Sequence, residues 1–185
     1  MSAWPRTLAR NPVAVMLAAA LLSGCAAQRS ALLRDPERIE SRIAALEGRL
    51  MRLGESTNPD EARRVAQTAV GDSLKLAEDY RVAAPALWHN LLIQMGVRDR
   101  GLCYHWTEDL MKRLQALNLR TYQLHWGVAH KGSDLREHNS VVITALKQPF
   151  DSGIVLDPWR NSGDLFWAAV RKDEYPWEPL PRDQW

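Results

Sequence analysis

The hydrophobic pattern of this chain changes period once, near residue 119, and that switch limits the fold more than any other feature. Ahead of it, apolar residues recur at helical spacing. From Asp35 to Leu53 the positions Ile39, Ile43, Leu46, Leu50 and Leu53 fall four, three, four and three residues apart, a single stripe on a charged helix. Gly54 to Pro59 breaks that helix and starts a second over residues 59–80, with Asn58 at the N-cap and Pro59 at the first helical position. Val65, Ala69, Leu76 and Tyr80 are among its inward positions. A third helix, about Ala84 to Met95, carries Leu87, Trp88, Leu91 and Leu92 and stops at Gly96. A fourth runs from about Leu102 to Leu117. Behind the switch come extended segments. Arg120–Val128 alternates apolar and polar residues, while His138–Ala145 and Gly153–Leu156 are rich in β-branched side chains. Breakers at Lys131–Asp134 and Gln148–Gly153 separate them, and the tail, with Pro158, Pro176, Pro179 and Pro181, reads as irregular and surface-wrapping. Helices first, then antiparallel strands, is an α+β pattern.

The chain opens with Arg6 and Arg10, and no acidic residue precedes Asp35. A mostly apolar stretch, Val13 to Leu22, then closes on Ser23-Gly24-Cys25. A basic start, a short apolar run and small residues before a cut describe a secretory signal. The run is too short to span a bilayer, which needs about 20 apolar residues. Leu22-Ser23-Gly24-Cys25 resembles the lipobox of bacterial lipoproteins. The resemblance implies cleavage before Cys25, a diacylated sulfur and an acylated new amine, with acyl chains such as palmitate. Two or three chains meet the requirement for stable anchoring in a membrane. Ala26 in place of Asp after the cysteine implies the outer membrane, with the domain facing the periplasm. The expected organisation is a signal over 1–24, a tether over 25–34, an amphipathic helix over 35–57 and a domain over 58–185. The helix stripe is shorter than the three to four heptads that argue for a coiled coil. Packing onto the domain is therefore expected, with self-association through residues 35–53 the lesser alternative.

The formal net charge of +2 is that of Arg6 and Arg10, and elsewhere basic residues balance the 22 acidic ones. No basic field remains that would argue for nucleic acid. Residues 25–185 are enough for one domain with a real core. Seven of the eight Trp lie there, and Trp lines ligand clefts as well as cores.

With Cys25 taken by the anchor, Cys103 stands alone in an exported, disulfide-permissive compartment. A leftover cysteine there points to intermolecular pairing or a reactive thiol, and an inert buried thiol is the alternative. A turn at Arg98–Gly101 leads into a helix whose Leu102, Trp106, Leu110 and Leu114 share a face, which puts Cys103 in the first turn. Unpaired N–H groups and the helix dipole favour the thiolate there, as do Arg98 and Arg100, and the thiolate is the nucleophile. Such a nucleophile needs an imidazole to take its proton and a third group to orient the imidazole. His138 opens one strand, and Asp157, stopped by Pro158, closes the next. If those strands are adjacent and antiparallel, the two residues become cross-strand neighbours at one sheet edge, where the helix carrying Cys103 can pack. His105, His125 and His130 compete for the base role, and His138 ranks first on its order in the chain. In structural roles, His138 would bond the backbone and Asp157 would form a turn. No His-x-x-x-His or paired-Cys spacing occurs, so neither a metal nor a cofactor is expected.

This order, Cys at a helix start, a strand, a strand with His and a strand ending in Asp-Pro, resembles the transglutaminase-like superfamily. The residues that carry it are Gly101-Leu102-Cys103, the helix ending in Leu114 to Leu119, His138 and Val155-Leu156-Asp157-Pro158, within about residues 85–160. The resemblance implies a papain-like core and a thiol peptidase, amidase or acyltransferase acting on amide bonds. Cys103 would attack, His138 would serve as base then acid, and Asp157 would orient it. Ser140 stands where family members often have an aromatic, two residues after the His. The calcium sites and extra domains of animal transglutaminases have no counterpart, which favours hydrolysis over crosslinking. The backbone N–H of Cys103 is the natural oxyanion donor, with Gln94 a second, and Trp88, Asn90 and Trp106 are candidates to line the cleft. The implied partner is a protein or peptide of the cell envelope. The rival is an inactive lipoprotein that keeps the fold as a binding or assembly module.

Overall fold

The structure is a computed structural model and describes residues 33–185. The export signal, Cys25 and the tether as far as residue 32 lie outside the described residues. Helix α1 (Pro36–Leu50) starts where the Asp35 carboxylate accepts from the Glu37 N–H at 2.9 Å, and it runs on into a 3-10 turn, Met51–Leu53. Helix α2 (Pro59–Asp79) starts at Asn58, whose side chain accepts from the Glu61 N–H at 3.0 Å. Both caps satisfy N–H groups that a first helical turn leaves without intrahelical partners. Helices α3 (Ala86–Gln94) and α4 (Cys103–Gln115) follow. Strands β1 (Tyr122–Ala129), β2 (His138–Ala145), β3 (Ile154–Asp157), β4 (Phe166–Ala169) and β5 (Trp177–Pro179) form one antiparallel sheet in the order β4-β3-β2-β1-β5. The fold is α+β, helices before sheet.

Strand alternation assigns the two faces of the sheet. Leu124, Val141, Ile143, Ile154 and Leu156 enter the main core with residues of α1, α2 and α4. Ala129, Val142 and Val155 turn the other way and are covered by Val170 and Trp177 of the C-terminal segment. By the same alternation His138 shares the second face with Val142, and Asp157 shares it with Val155. Helix α4 packs on β2 and α2. That brings its first residue to the start of β2, with Cys103 Sγ 4.0 Å from the Glu137 carbonyl.

The stripe of α1 packs into its own domain. Ile43, Leu46 and Leu50 are buried in the same core as Val65 and Leu110, so residues 35–53 are part of the domain and the stripe is not left open to a second copy. Two parts of the chain differ from expectation. The tail is not irregular, because it supplies both outer strands, β4 and β5. Strands β2 and β3 are thus interior, and His138 and Asp157 meet at their ends rather than at an edge of the sheet. Runs of four and three residues, the shorter ending in Pro179, carry too little alternation to be read as strands. Helix α3 inverts the usual pattern: it buries Ala86 and His89 and turns Leu87, Trp88 and Leu91 to the surface.

Candidate active site

The start of α4 is fixed from three directions. Gly101 adopts φ +124°, and a Cβ there would lie 2.3 Å from Nε2 of His89, so only glycine fits. His89 is itself buried, its Nδ1 accepting from the Ala83 N–H at 3.2 Å. Nε2 therefore carries the ring proton and donates to the Arg100 carbonyl at 2.9 Å. The Gly101 and Leu102 N–H groups donate to Nδ1 of His105 at 3.1 and 3.3 Å, and the Trp106 indole donates to the Gly101 carbonyl at 2.9 Å. Cys103 follows as the first helical residue, half-buried. The helix construction leaves its N–H without an intrahelical partner.

His138 lies between Cys103 and Asp157. Its Nε2 donates to Asp157 Oδ2 at 2.7 Å, which leaves Nδ1 as the other ring nitrogen, and Cys103 is close enough to act on the charge of the same imidazole. Both members of the His–Asp pair are sealed, the imidazole at 3% exposure and the carboxylate at 1%. Burial by itself would depress the His138 pKa. The hydrogen bonds and charges of Asp157 and Cys103 outweigh burial and raise it to about 9. The imidazole packs against Trp159, Tyr175 and Trp177, at centroid distances of 4.7, 4.9 and 5.4 Å.

Asp157 is held in turn by Arg160, whose backbone N–H donates to Oδ1 and whose Nε donates to Oδ2, each at 3.1 Å. The other guanidinium nitrogens form a fork on Asp173 at 2.9 Å each, and Trp177 donates its indole N–H to the same carboxylate at 2.8 Å. A fixed fork of this kind orients a carboxylate better than a point charge does. Arg160 and Asp173 were not read from the sequence as site residues. The available signal was the short spacing Asp157-Pro158-Trp159-Arg160, which places a guanidinium within reach of its own turn.

The thiol opens onto a cleft of about 760 Å³, walled by α3, the start of α4 and the β1–β2 loop, with the buried His138 behind it in the lining. Asn90 and Gln94 line it from α3, and Asn90 accepts from the Trp159 indole at 3.1 Å across the cleft floor. The other two aromatic candidates stand elsewhere. Trp106 is 1% exposed, packed edge-on against Tyr80 in the core, and it supports the α4 start instead of lining the cleft. Its indole is drawn inward by the Gly101 carbonyl. Trp88 is on the surface of α3, outside the cleft lining.

The competing histidines have other partners. His105 accepts two backbone N–H groups, and burial followed by the Arg100 charge lowers its pKa, which keeps that nitrogen unprotonated. His125 pairs with Thr144 through Nε2 at 3.0 Å and meets Phe150 edge-on. His130 lines the rim of the same cleft, next to Arg136 and Tyr175. A second hollow of about 460 Å³ near Tyr80 and Arg100 is lined mostly by charged side chains, Arg100–Asp109 paired among them, and has no Cys, Ser or Thr in its lining. Among the described residues, no group of three or more His, Cys, Asp or Glu is placed to hold a metal ion. No family model, no curated protein and no solved structure matches this chain.

The arrangement is a thiol at a helix start, a sealed imidazole and a clamped carboxylate. It can move a proton from sulfur to nitrogen and keep the resulting imidazolium charged.

Proposed function

We propose that the protein is a thiol hydrolase or acyltransferase that cleaves amide bonds through Cys103, His138 and Asp157. The observation that carries this reading is that one buried imidazole is bonded to the Asp157 carboxylate and lines the same cleft as the Cys103 thiol at a helix start. The sulfur attacks the amide carbonyl carbon, and the carbonyl electron pair moves to oxygen, beside the N–H at the helix start. Collapse of the tetrahedral adduct breaks the C–N bond. The proton held by His138 passes to the departing amine, leaving a thioester on Cys103. Water, deprotonated by the now neutral imidazole, attacks the thioester and releases a carboxylic acid and the thiol. An amine in place of water gives transamidation. Asp157 holds the ring so that Nε2 carries a proton throughout and Nδ1 does the work.

The order of the three residues along the chain, which resembles the transglutaminase-like superfamily and its papain-like core, supports the same chemistry. So does the cleft above the thiol. The lipobox-like Leu22-Ser23-Gly24-Cys25 supports a lipid anchor in the cell envelope. Among the described residues, no helix is long and apolar enough to cross a membrane.

The test is to trap the acyl-enzyme. Brief incubation with an activated ester or amide should add the acyl mass to Cys103, and hydroxylamine should remove it. Cys103→Ala should show no addition, and His138→Ala should acylate at least about a hundredfold more slowly, the low end of what a positioned acid–base contributes. A wild-type chain that takes up no acyl group, or a His138→Ala chain that acylates as fast, contradicts the reading.

A further inference from the structure

The cleft has two chemically different walls. On one side Leu87 and Leu91 of α3 stand beside Leu102 and Tyr104 at the start of α4. On the other, the β1–β2 loop presents Asp134, Arg136 and Glu137, with a single apolar residue, Leu135, among them. Among the described residues, four of the eight large apolar side chains left exposed, Leu87, Leu91, Tyr104 and Leu135, line this one cleft. Leu135 is 97% exposed and Leu87 72%, values at which a leucine contributes nothing to the fold that displays it. Exposed apolar surface gathered in a groove and rimmed by polar groups marks a place where something else is bound.

The size and the asymmetry select the occupant. A volume of about 760 Å³ lies in the range that takes a drug-sized ligand, much more than a simple amide fills. An extended peptide sends alternate side chains to opposite sides and carries its amide groups between them. It can seat an apolar side chain on the helical wall while its backbone faces the polar loop. The rim carries Asp134, Glu137 and Glu174 against Arg136, and the helical wall offers no basic side chain to pair with an acidic residue seated on it.

We propose that the cleft accepts an extended peptide whose side chain next to the scissile amide is bulky and apolar, seated on Leu87 and Leu91 and faced by Leu135. The inference rests on Cys103 being the nucleophile and adds the substrate class.

The test uses peptidyl electrophiles that alkylate a thiol, identical except for one residue, Leu, Phe or Asp, next to the reactive group. Iodoacetamide is the small reference reagent, and modification of Cys103 is followed by intact mass. The Leu and Phe probes should react about ten to a hundred times faster than the Asp probe, the ratio that burying one such side chain supplies. Leu91→Asp and Leu135→Asp should each shrink that ratio, while Met95→Asp, on exposed apolar surface outside the cleft, should leave it intact. Thermal unfolding of each variant shows whether it has folded, and the surface position of all three keeps the comparison open. Equal rates for the three probes, with His138-dependent alkylation by iodoacetamide retained, overturn the substrate class and leave the nucleophile standing. Alkylation by every reagent at the rate of an unassisted thiol, unaffected by His138→Ala, overturns the reading underneath it. A preference that survives both Asp substitutions also overturns the proposal, because recognition then lies elsewhere.

Discussion

His138 and Asp157 lie at the ends of two interior strands, with Nε2 2.7 Å from Oδ2 and both side chains sealed from solvent. The contact does two jobs: it fixes Nε2 as the protonated nitrogen, leaving Nδ1 as the one that can take a proton, and it leaves the carboxylate dependent on Arg160 for its remaining partners. Asp157→Asn offers the ring an amide in place of a carboxylate and favours the wrong tautomer. Turnover should fall by roughly 10⁴-fold, as it does for the matching change in a serine protease. Asp157→Ala should also destabilise the fold by about 1–3 kcal/mol in urea unfolding, because the Arg160 Nε and backbone N–H and the His138 Nε2 lose their acceptor while Asp173 still holds the guanidinium. An Asp157→Asn enzyme with near-normal turnover contradicts the orienting role.

The charge state of His138 sets a pH window. Its ordinary value is near 6.5, and in the fold it is raised to about 9. A pKa raised by folding means that the charged ring stabilises the protein fully below about pH 6.5, and that this contribution disappears as pH rises through about 9. The stability difference between wild type and His138→Gln should therefore narrow between those values. NMR of the ring should place its titration far above that of an exposed histidine, and Cys103→Ala should move it down, since the thiol is one of the groups that raise it. A midpoint near 6.5 in the wild type contradicts the account.

Gly101 tests the scaffold under the nucleophile. At φ +124° a side chain is strained, and the Cβ of Gly101→Ala meets the His89 ring. The backbone alone should cost about 1–3 kcal/mol, read in urea unfolding, and the displaced α4 start should slow Cys103 acylation. Wild-type stability in this variant would mean that the His89–Arg100 contact does not fix the turn.

Much of this was legible in the sequence, for physical reasons that differ by element. β2 has the expected bounds, His138–Ala145, because a β-branched run between breakers has few alternatives. Asn58 and Pro59 start α2 as expected, because capping is local chemistry. The ordering Cys103, His138, Asp157 was visible because it follows from connectivity. β4 and β5 were not visible, since short outer strands take their conformation from the neighbour they pair with. Trp88 and Trp106 were misplaced because a side chain's direction depends on tertiary packing: the Gly101 carbonyl draws Trp106 inward, and His89 takes the buried face of α3. Arg160 and Asp173 escaped notice because their pairing spans a turn and a strand, with no periodic pattern to announce it.

The anchor has its own measurement. Mass analysis of the chain expressed in a bacterial host with a lipoprotein pathway should show a polypeptide beginning at Cys25 with added acyl mass, and Cys25→Ser should accumulate as uncleaved precursor. A chain cut elsewhere, with a plain thiol at Cys25, contradicts the lipobox reading.

The most direct measurement of the central claim is the rate at which iodoacetamide alkylates Cys103, followed from pH 5 to pH 10 in wild type, His138→Ala and Asp157→Asn. Proton transfer to His138 predicts rapid alkylation of the wild type at pH 6–7, where a free cysteine, titrating near about 8.5, is largely protonated. His138→Ala should lose that reactivity and follow the profile of an ordinary thiol, with Asp157→Asn between the two. A wild-type profile that already matches an ordinary thiol and does not move in His138→Ala would contradict the claim that Cys103 and His138 act as one unit.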